Sequence, residues 1–407
     1  MYNGSKTGHF SGRKPSFSRG SRFSGSRSRG GSRGRSRFAD KQIDVSRYIN
    51  KGAPVEETVA YASTHAFVDF AIDERLKSTI ISKGYITPTP IQDQAIPHIL
   101  AGSDIVGIAN TGTGKTAAFL IPLINKVLLN DKEQILIVAP TRELAFQIDE
   151  ELKIFAKGLK IFSVCLVGGA PIGRQLSQLR YHNSFVIGTP GRIKDLIERK
   201  SLNLQKFKTV VLDEADRMLD MGFIHDMRFM MAQMSTDRHT LFFSATLSPD
   251  IERLIHDFLN NPVRVSVKTG DTSKNIEQDV VKVLEGQTKI DLLHDLLKSD
   301  GFEKVLVFGK TKHGVQKLSD ALEQRGHKTS AIHGNKNLTQ RQRALGDFKN
   351  NRTKVLIATD VAARGLDIAD VSHVINFDIP ATHEDYIHRI GRTGRGDKKG
   401  KALTFVE

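Results

Sequence analysis

From about Phe67 to Val267 the chain alternates short apolar runs with longer stretches whose apolar residues recur at helical spacing. The runs are DIVGIA, QILIVAP, FSVCLVGG, FVIGTP, TVVLDEAD and TLFFSAT. Four to six residues is strand length, and runs apolar on both faces predict a parallel sheet covered by helices. A polar stretch, KTGDTSKNIEQ from Lys268 to Gln278, then interrupts the pattern. It resumes with KVLVFGKT, KTSAIHG, KVLIATD and HVINFDIP and closes with KALTFVE. The chain therefore reads as two α/β domains, 67–267 and 279–407, joined by a linker over 268–278. Ligands of such sheets gather at the carboxyl ends of the strands, and every polar motif below falls just after an apolar run.

Composition adds a third region. Residues 1–39 contain ten Lys or Arg and no Asp or Glu, and so carry most of the formal charge of +15. Their mixture of Gly, Ser, Arg and spaced Phe cannot bury enough apolar surface to offset ordering entropy, so the tail is expected to be disordered. Arg meeting phosphates, with Arg and Phe stacking on bases, suits a loose nucleic-acid binder; the competing reading is a solubilising leader. Residues 40–66 match neither pattern and have no functional reading. The 407 residues and 39% apolar content suit two or three domains. No run of eighteen apolar residues and no secretory leader are visible, which predicts a soluble, cytoplasmic protein without a membrane partner. The single cysteine, Cys165, cannot form an internal disulfide and reads as a buried, inert thiol.

The chemistry starts at IANTGTGKT, residues 108–116. The turn Gly112-Thr113-Gly114 lets backbone N–H groups face phosphate, Lys115 brings a charge to the outer phosphates, and Thr116 can hold Mg²⁺. Ala109 replaces the first glycine of the usual pattern, at a strand end where a methyl group fits. In TVVLDEADRM, four strand residues deliver Asp213 and Glu214 to the sheet edge. Asp213 is placed to bind Mg²⁺ through its water shell, and Glu214 to orient and deprotonate an attacking water. Together these predict a nucleoside triphosphatase.

At this point the residues carry a resemblance. ANTGTGKT, DEAD at Asp213 to Asp216 and SAT at Ser244 to Thr246 resemble the first three motifs of DEAD-box ATP-dependent RNA helicases of superfamily 2, and the general look is that of the bacterial RhlE-like branch. The match spans Phe67 to Glu407, with Asn110 in place of the more usual Gln. It implies two tandem RecA-like domains, ATP and Mg²⁺ as cofactors, and RNA, single-stranded or in short duplexes, as partner of a monomer. GYITPTPIQ resembles the adenine-reading motif, which makes Gln92 the amide that pairs with adenine and Phe67 the ring that stacks on the base. The resemblance implies that Ser244 and Thr246 couple hydrolysis to RNA through Asp216. It places RNA contacts at Thr141 and Arg142 in PTREL, at Gly168 and Gly169, and at Thr189, Gly191 and Arg192 in TPGR. In the second domain it assigns Gln340, Arg343 and Thr359 to RNA and Asp367 to the ribose. HRIGRTGR, from His388 to Arg395, matches the sixth motif, with His388 in the catalytic set and Arg392 and Arg395 as arginine fingers.

Physics agrees with that division of labour. Guanidinium groups presented to a γ-phosphate stabilise charge in phosphoryl transfer and contribute roughly 10³ to 10⁵ in rate. With phosphate loop and fingers in separate domains, hydrolysis requires closure, and a strand bridging both domains supplies the differential affinity that favours it. Glycines, threonines and arginines suit a sugar-phosphate backbone, so recognition should be sequence-independent. The preference for RNA over DNA rests on the resemblance, because 2′-hydroxyl contacts leave no trace in spacing. The main competitor is an ATP-gated RNA clamp or annealing chaperone; Gln92 and its PTPIQ context disfavour a DNA translocase.

Overall fold

The computed structural model describes residues 61–407 apart from 111, 268–275, 364–367, 369, 395–398 and 407. The tail, residues 40–60, most of the expected linker, Asp367 and Arg395 thus lie outside the described residues.

The first lobe holds β1 (Ile105–Ile108), β2 (Ile135–Val138), β3 (Ser163–Leu166), β4 (Phe185–Gly188), β5 (Thr209–Leu212), β6 (His239–Ser244) and β7 (Val263–Ser266). They form one sheet in the order β3-β4-β2-β5-β6-β1-β7, with every neighbouring pair parallel. The second lobe holds β8 (Ile276–Lys282), β9 (Val305–Phe308), β10 (Thr329–Ile332), β11 (Val355–Ala358), β12 (His373–Asn376) and β13 (Gly400–Val406), ordered β10-β11-β9-β12-β13-β8 and again wholly parallel.

Every residue of β2, β4, β5 and β6 is buried, as both-faced apolar runs require. Along β6 the two-residue period sends Leu241 and Phe243 into the core on one face and Phe242 into the core on the other. Phe119, on the helix Lys115–Leu129, meets Phe243 with ring centroids 5.4 Å apart. Truncating a ring so buried costs about 3–5 kcal/mol. Gly107 on β1 is required by the same packing, since a Cβ there would lie 2.5 Å from the Phe243 ring. The helix that begins at Lys115 is thereby pinned beneath the carboxyl edge of β1.

Two strands differ from the sequence reading, which had neither β7 nor β8. Both are edge strands with alternating rather than continuous burial: Val265 is buried between exposed Arg264 and Ser266, and Ile276 and Gln278 are buried beside exposed Glu277 and Asp279. Strand β8 therefore starts at Ile276, within the stretch read as linker. Gln278 is fixed there by the Tyr386 hydroxyl, which donates to its Oε1 at 2.9 Å. Among the described residues no helix is long and apolar enough to cross a membrane. Burial pushes the Cys165 thiol up, with Asp149 adding to the effect, as expected of an unreactive cysteine.

Candidate nucleotide-binding site

The carboxyl ends of β1, β5 and β6 lie side by side and bring three motifs together. After β1 the chain turns through Gly112 and Gly114, with φ of 85° and 92°, conformations that favour glycine. Thr113 closes the turn by donating its hydroxyl to Asn110 O at 2.8 Å. Lys115 is 6% exposed, and its Nζ donates to Ala109 O at 2.7 Å. The residue that departs from the usual glycine therefore receives the lysine through its backbone carbonyl, which a methyl side chain does not obstruct. Thr116 follows in the first helical turn.

Gln92 is 2% exposed and spans two elements. Its Oε1 accepts from Thr89 N at 2.9 Å, and its Nε2 donates to Gly114 O at 3.1 Å. A Cβ at Gly114 would lie 2.4 Å from that Nε2, so the glycine is needed for contact as well as for conformation. Phe67 is fully buried and packs edge to face on Phe70 and Tyr85 at 5.8 and 5.9 Å. Its ring forms part of the core and presents no exposed face to a base.

At the end of β5, Asp213 is 2% exposed. Burial pushes its carboxyl up to about 7, opposed by Lys115 and reinforced by Glu214 and Asp216. Glu214 adopts a left-handed backbone, φ 52° and ψ 51°, a strained conformation of the kind that collects at functional sites. Its Oε2 accepts from Arg217 Nη1 at 2.8 Å, with both side chains almost wholly buried. Sequence reasoning passed over Arg217, because a basic residue after an acidic quartet looks like a solvated charge. Asp216 joins β5 to β6: its Oδ2 accepts from Ala245 N at 3.0 Å, Thr246 N at 3.1 Å and the Thr246 hydroxyl at 3.3 Å. Ser244 completes the junction by donating to Thr246 O at 2.8 Å.

A second cluster forms beyond β2, β3 and β4. Thr141 caps the helix Arg142–Phe155, its hydroxyl accepting from Leu144 N at 3.3 Å. The Arg142 guanidinium crosses Gly168 and Gly169, where a Cβ on Gly169 would lie 2.2 Å from its Nη1. Thr189 precedes the helix Pro190–Glu198 at its N-cap position without a side-chain capping bond; the helix carries Gly191 and Arg192, and Arg192 donates to Ala170 O at 3.3 Å. Burial pushes the Arg142 guanidinium down, and Arg341 and then Arg192 press the same way against Glu143, so three cations meet in one place. Arg341 belongs to the second lobe, and nothing in the sequence singled it out. Its Nε lies 2.7 Å from Glu143 Oε1 without the alignment of a hydrogen bond, so the two form a close charge pair across the lobes.

The remaining second-lobe residues are dispersed. Gln340 is occupied in a capping box, exchanging hydrogen bonds with Asn337 at 2.9 and 3.0 Å. Arg343 is largely exposed, 3.8 Å from Asp347. Thr359 follows β11, its N–H donating to Ile332 O at 3.3 Å. His388 and Arg392 line a small cavity with Asp360, Asp385 and Phe308, and Arg392 is only 3% exposed. Arg389, which the sequence reading did not separate from its neighbours, organises that corner. It grips Asp360 through two bonds of 2.6 and 2.8 Å, donates to Asn376 Oδ1 and Asp378 O, and lies over the Phe308 ring.

A glycine turn feeding a helix beneath a parallel sheet, a buried lysine, and acidic residues on a neighbouring strand end define a P-loop nucleotide-binding protein with two α/β lobes. Residues 89–254 match the model of the DEAD/DEAH box helicase family, and residues 288–397 that of the helicase conserved C-terminal domain. The DEAD-box ATP-dependent RNA helicase CshA of Bacillus cereus is 46% identical over 342 residues, 84% of this chain and 65% of its own length. A DEAD box protein from Methanococcus jannaschii is 39% identical over 84% of this chain and 93% of its own, with a TM-score of 0.50. Dbp5 of Saccharomyces cerevisiae, bound to RNA and ADP BeF3, is 32% identical over 85% and 90%, with a TM-score of 0.74. The chain belongs to the DEAD-box helicase family. It spans just under two thirds of the length of the CshA relative, and the CshA name leaves the RhlE-like branch without support.

Proposed function

We propose that this chain is an RNA-stimulated ATPase that couples hydrolysis to local separation of short RNA duplexes and remodelling of RNA–protein complexes. The observation that carries this reading is the placement of Lys115 and Asp213 together at the mouth of the glycine turn, with Asp216 tying β5 to Ala245 and Thr246. In this reading Gly112, Thr113, Gly114 and Lys115 hold the phosphates, and Gln92 reads the adenine. The Thr116 hydroxyl and the Asp213 carboxylate are an oxygen donor set of the kind a hard cation takes, and a divalent cation beside Asp213 favours its ionised form against burial. When bound, Mg²⁺ neutralises charge on the β- and γ-phosphate oxygens. Glu214 accepts the proton of the attacking water. Asp216, Ser244 and Thr246 transmit the state of the site to the RNA face. For Phe67 to stack on the base its fully buried ring would have to be uncovered.

The cations of Arg142, Arg192 and Arg341 suit successive phosphates, and Thr141, Gly168, Gly169, Thr189 and Gly191 supply small or hydroxyl-bearing positions beside them. Gln340, Arg343 and Thr359 extend that track on the second lobe. The Glu143–Arg341 pair, which links the two lobes, supports a closed arrangement. Arg392 and Arg395, with His388, act on the γ-phosphate in that state, and Asp367 meets the ribose. The protein is proposed to work as a monomer in a reducing cytoplasm. A second reading, an ATP-gated RNA clamp with incidental turnover, is favoured by the Glu214–Arg217 pair, which holds the base in a buried contact. Steady-state hydrolysis and displacement of a short RNA strand, with and without ATP, separate the two: a clamp closes on RNA and leaves the duplex intact.

ATP is expected to be turned over in preference to GTP, because the Gln92 amide matches adenine's donor and acceptor. Gln92→Ala should weaken ATP binding and erode the preference. Equal turnover of all four nucleotides by the unmodified chain contradicts the assignment.

Deleting residues 1–39 should weaken RNA binding and keep RNA-stimulated hydrolysis. Each lost contact to a single-stranded phosphate removes about 0.7 from the slope of log affinity against log salt, so the truncated chain should show a flatter line. Replacing Phe10, Phe17, Phe23 and Phe38 by Ala should lower affinity with the slope unchanged, since stacking releases no counterions. The same affinity and slope after deletion would make the tail a solubilising leader.

A further inference from the structure

Asp93 follows Gln92 in the first turn of the helix Pro90–Leu100, and its side chain is wholly out of solvent. Five donors from one short segment ahead of Phe67 converge on it. Oδ2 accepts from the Tyr61 hydroxyl at 2.7 Å and from both the N–H and the hydroxyl of Thr64 at 2.8 Å. Oδ1 accepts from His65 N at 3.2 Å and from His65 Nδ1 at 2.6 Å. Burial alone would raise this carboxyl; the hydrogen bonds from Tyr61, Thr64 and His65 outweigh it and hold the group well below the usual carboxylate range.

The convergence joins two parts of the proposed adenine pocket. On one side the strap runs directly into the turn Phe67–Asp69, which Phe67 N anchors by donating to Ile86 O at 3.2 Å. On the other, Asp93 N donates to Thr89 O at 2.8 Å, and Thr89 N holds the Gln92 amide. Any movement of the Asp93 carboxylate is therefore passed to the turn of helix that orients Gln92 against Gly114. The strap also gives a role to the end of a segment that had no functional reading from sequence.

We propose that Asp93 is a positioning residue for nucleotide recognition: by gathering Tyr61, Thr64 and His65 it fixes the helical turn that aims Gln92, so the strap sets nucleotide affinity and base choice. This rests on the reading of Gln92 as the adenine contact. Asp93→Asn keeps the shape but puts an amide donor among five donors, so the strap loses its grip on the helix. Tyr61→Phe combined with Thr64→Val removes two donors and leaves the carboxylate in place, a milder variant should the first fail to fold. Thr64→Ser retains both donors and should behave as the unmodified chain.

The test is steady-state hydrolysis by the full chain at saturating RNA, with ATP and GTP titrated separately at a temperature where each variant is folded. Asp93→Asn should raise KM for ATP about tenfold, with kcat within about twofold, and lower the ATP over GTP ratio of kcat/KM. The double variant should move KM the same way by about threefold. The proposal is overturned if folded variants keep KM and the nucleotide ratio within about twofold of the unmodified chain while melting earlier, which marks a purely structural staple. It is equally overturned if kcat falls and KM does not. Absence of any ATP preference in the unmodified chain would instead remove the Gln92 reading, a result distinct from failure of the strap.

Discussion

Glu214→Gln is expected to lower RNA-stimulated hydrolysis by at least about 10²-fold, the contribution typical of a positioned general base. Binding of ATP and of RNA should change little. The amide preserves the shape of the side chain and its Oε1 can still accept from Arg217 Nη1, so the buried contact survives in part. What it cannot do is take a proton from water. The left-handed backbone at residue 214, φ 52°, is set by the turn from β5 into the following helix and does not depend on the carboxylate. Single-turnover hydrolysis beside equilibrium nucleotide binding reads the two effects separately. A rate within about tenfold of the unmodified chain would take Glu214 out of the role of base.

Arg392→Ala should have an effect of the same order or larger, roughly 10³-fold in kcat, if its guanidinium stabilises charge at the γ-phosphate. Arg392 is 3% exposed and lines a cavity of the second lobe with His388 and Asp385; in the proposed mechanism it acts on the γ-phosphate from the second lobe when the lobes are closed. The loss should accordingly fall on kcat, with RNA affinity retained. Arg392→Lys should recover only part of the rate, since an ammonium lacks the planar fork. A loss below about tenfold for Arg392→Ala would contradict the assignment.

The parts of this molecule legible in the sequence are those whose physics is local. Strands β2, β4, β5 and β6 are buried on both faces, and burial of that kind writes continuous apolar runs. The phosphate loop and the acidic strand end are contiguous motifs, so they were found with their positions. Edge strands β7 and β8 were not, because half-exposed strands carry Arg, Ser, Glu and Asp at alternate positions and imitate loop composition. Pairings between distant residues were equally hidden. Arg341 meets Glu143, and Tyr61 meets Asp93, only because the fold brings them together. Spacing placed Phe67 but could not show its surroundings, a ring packed on Phe70 and Tyr85. Arg389 and Arg392 look equivalent in sequence and line the same cavity, and only the structure shows that Arg389 is the one that grips Asp360, Asn376 and Asp378.

The central claim is that ATP hydrolysis at the first lobe depends on RNA holding the two lobes together. Steady-state ATP hydrolysis by the full chain, measured with and without single-stranded RNA at saturating ATP and low salt, tests it most directly. Closure that delivers an arginine finger predicts stimulation of at least about tenfold, since the finger alone contributes roughly 10³ or more in rate. The same turnover with and without RNA would contradict the account.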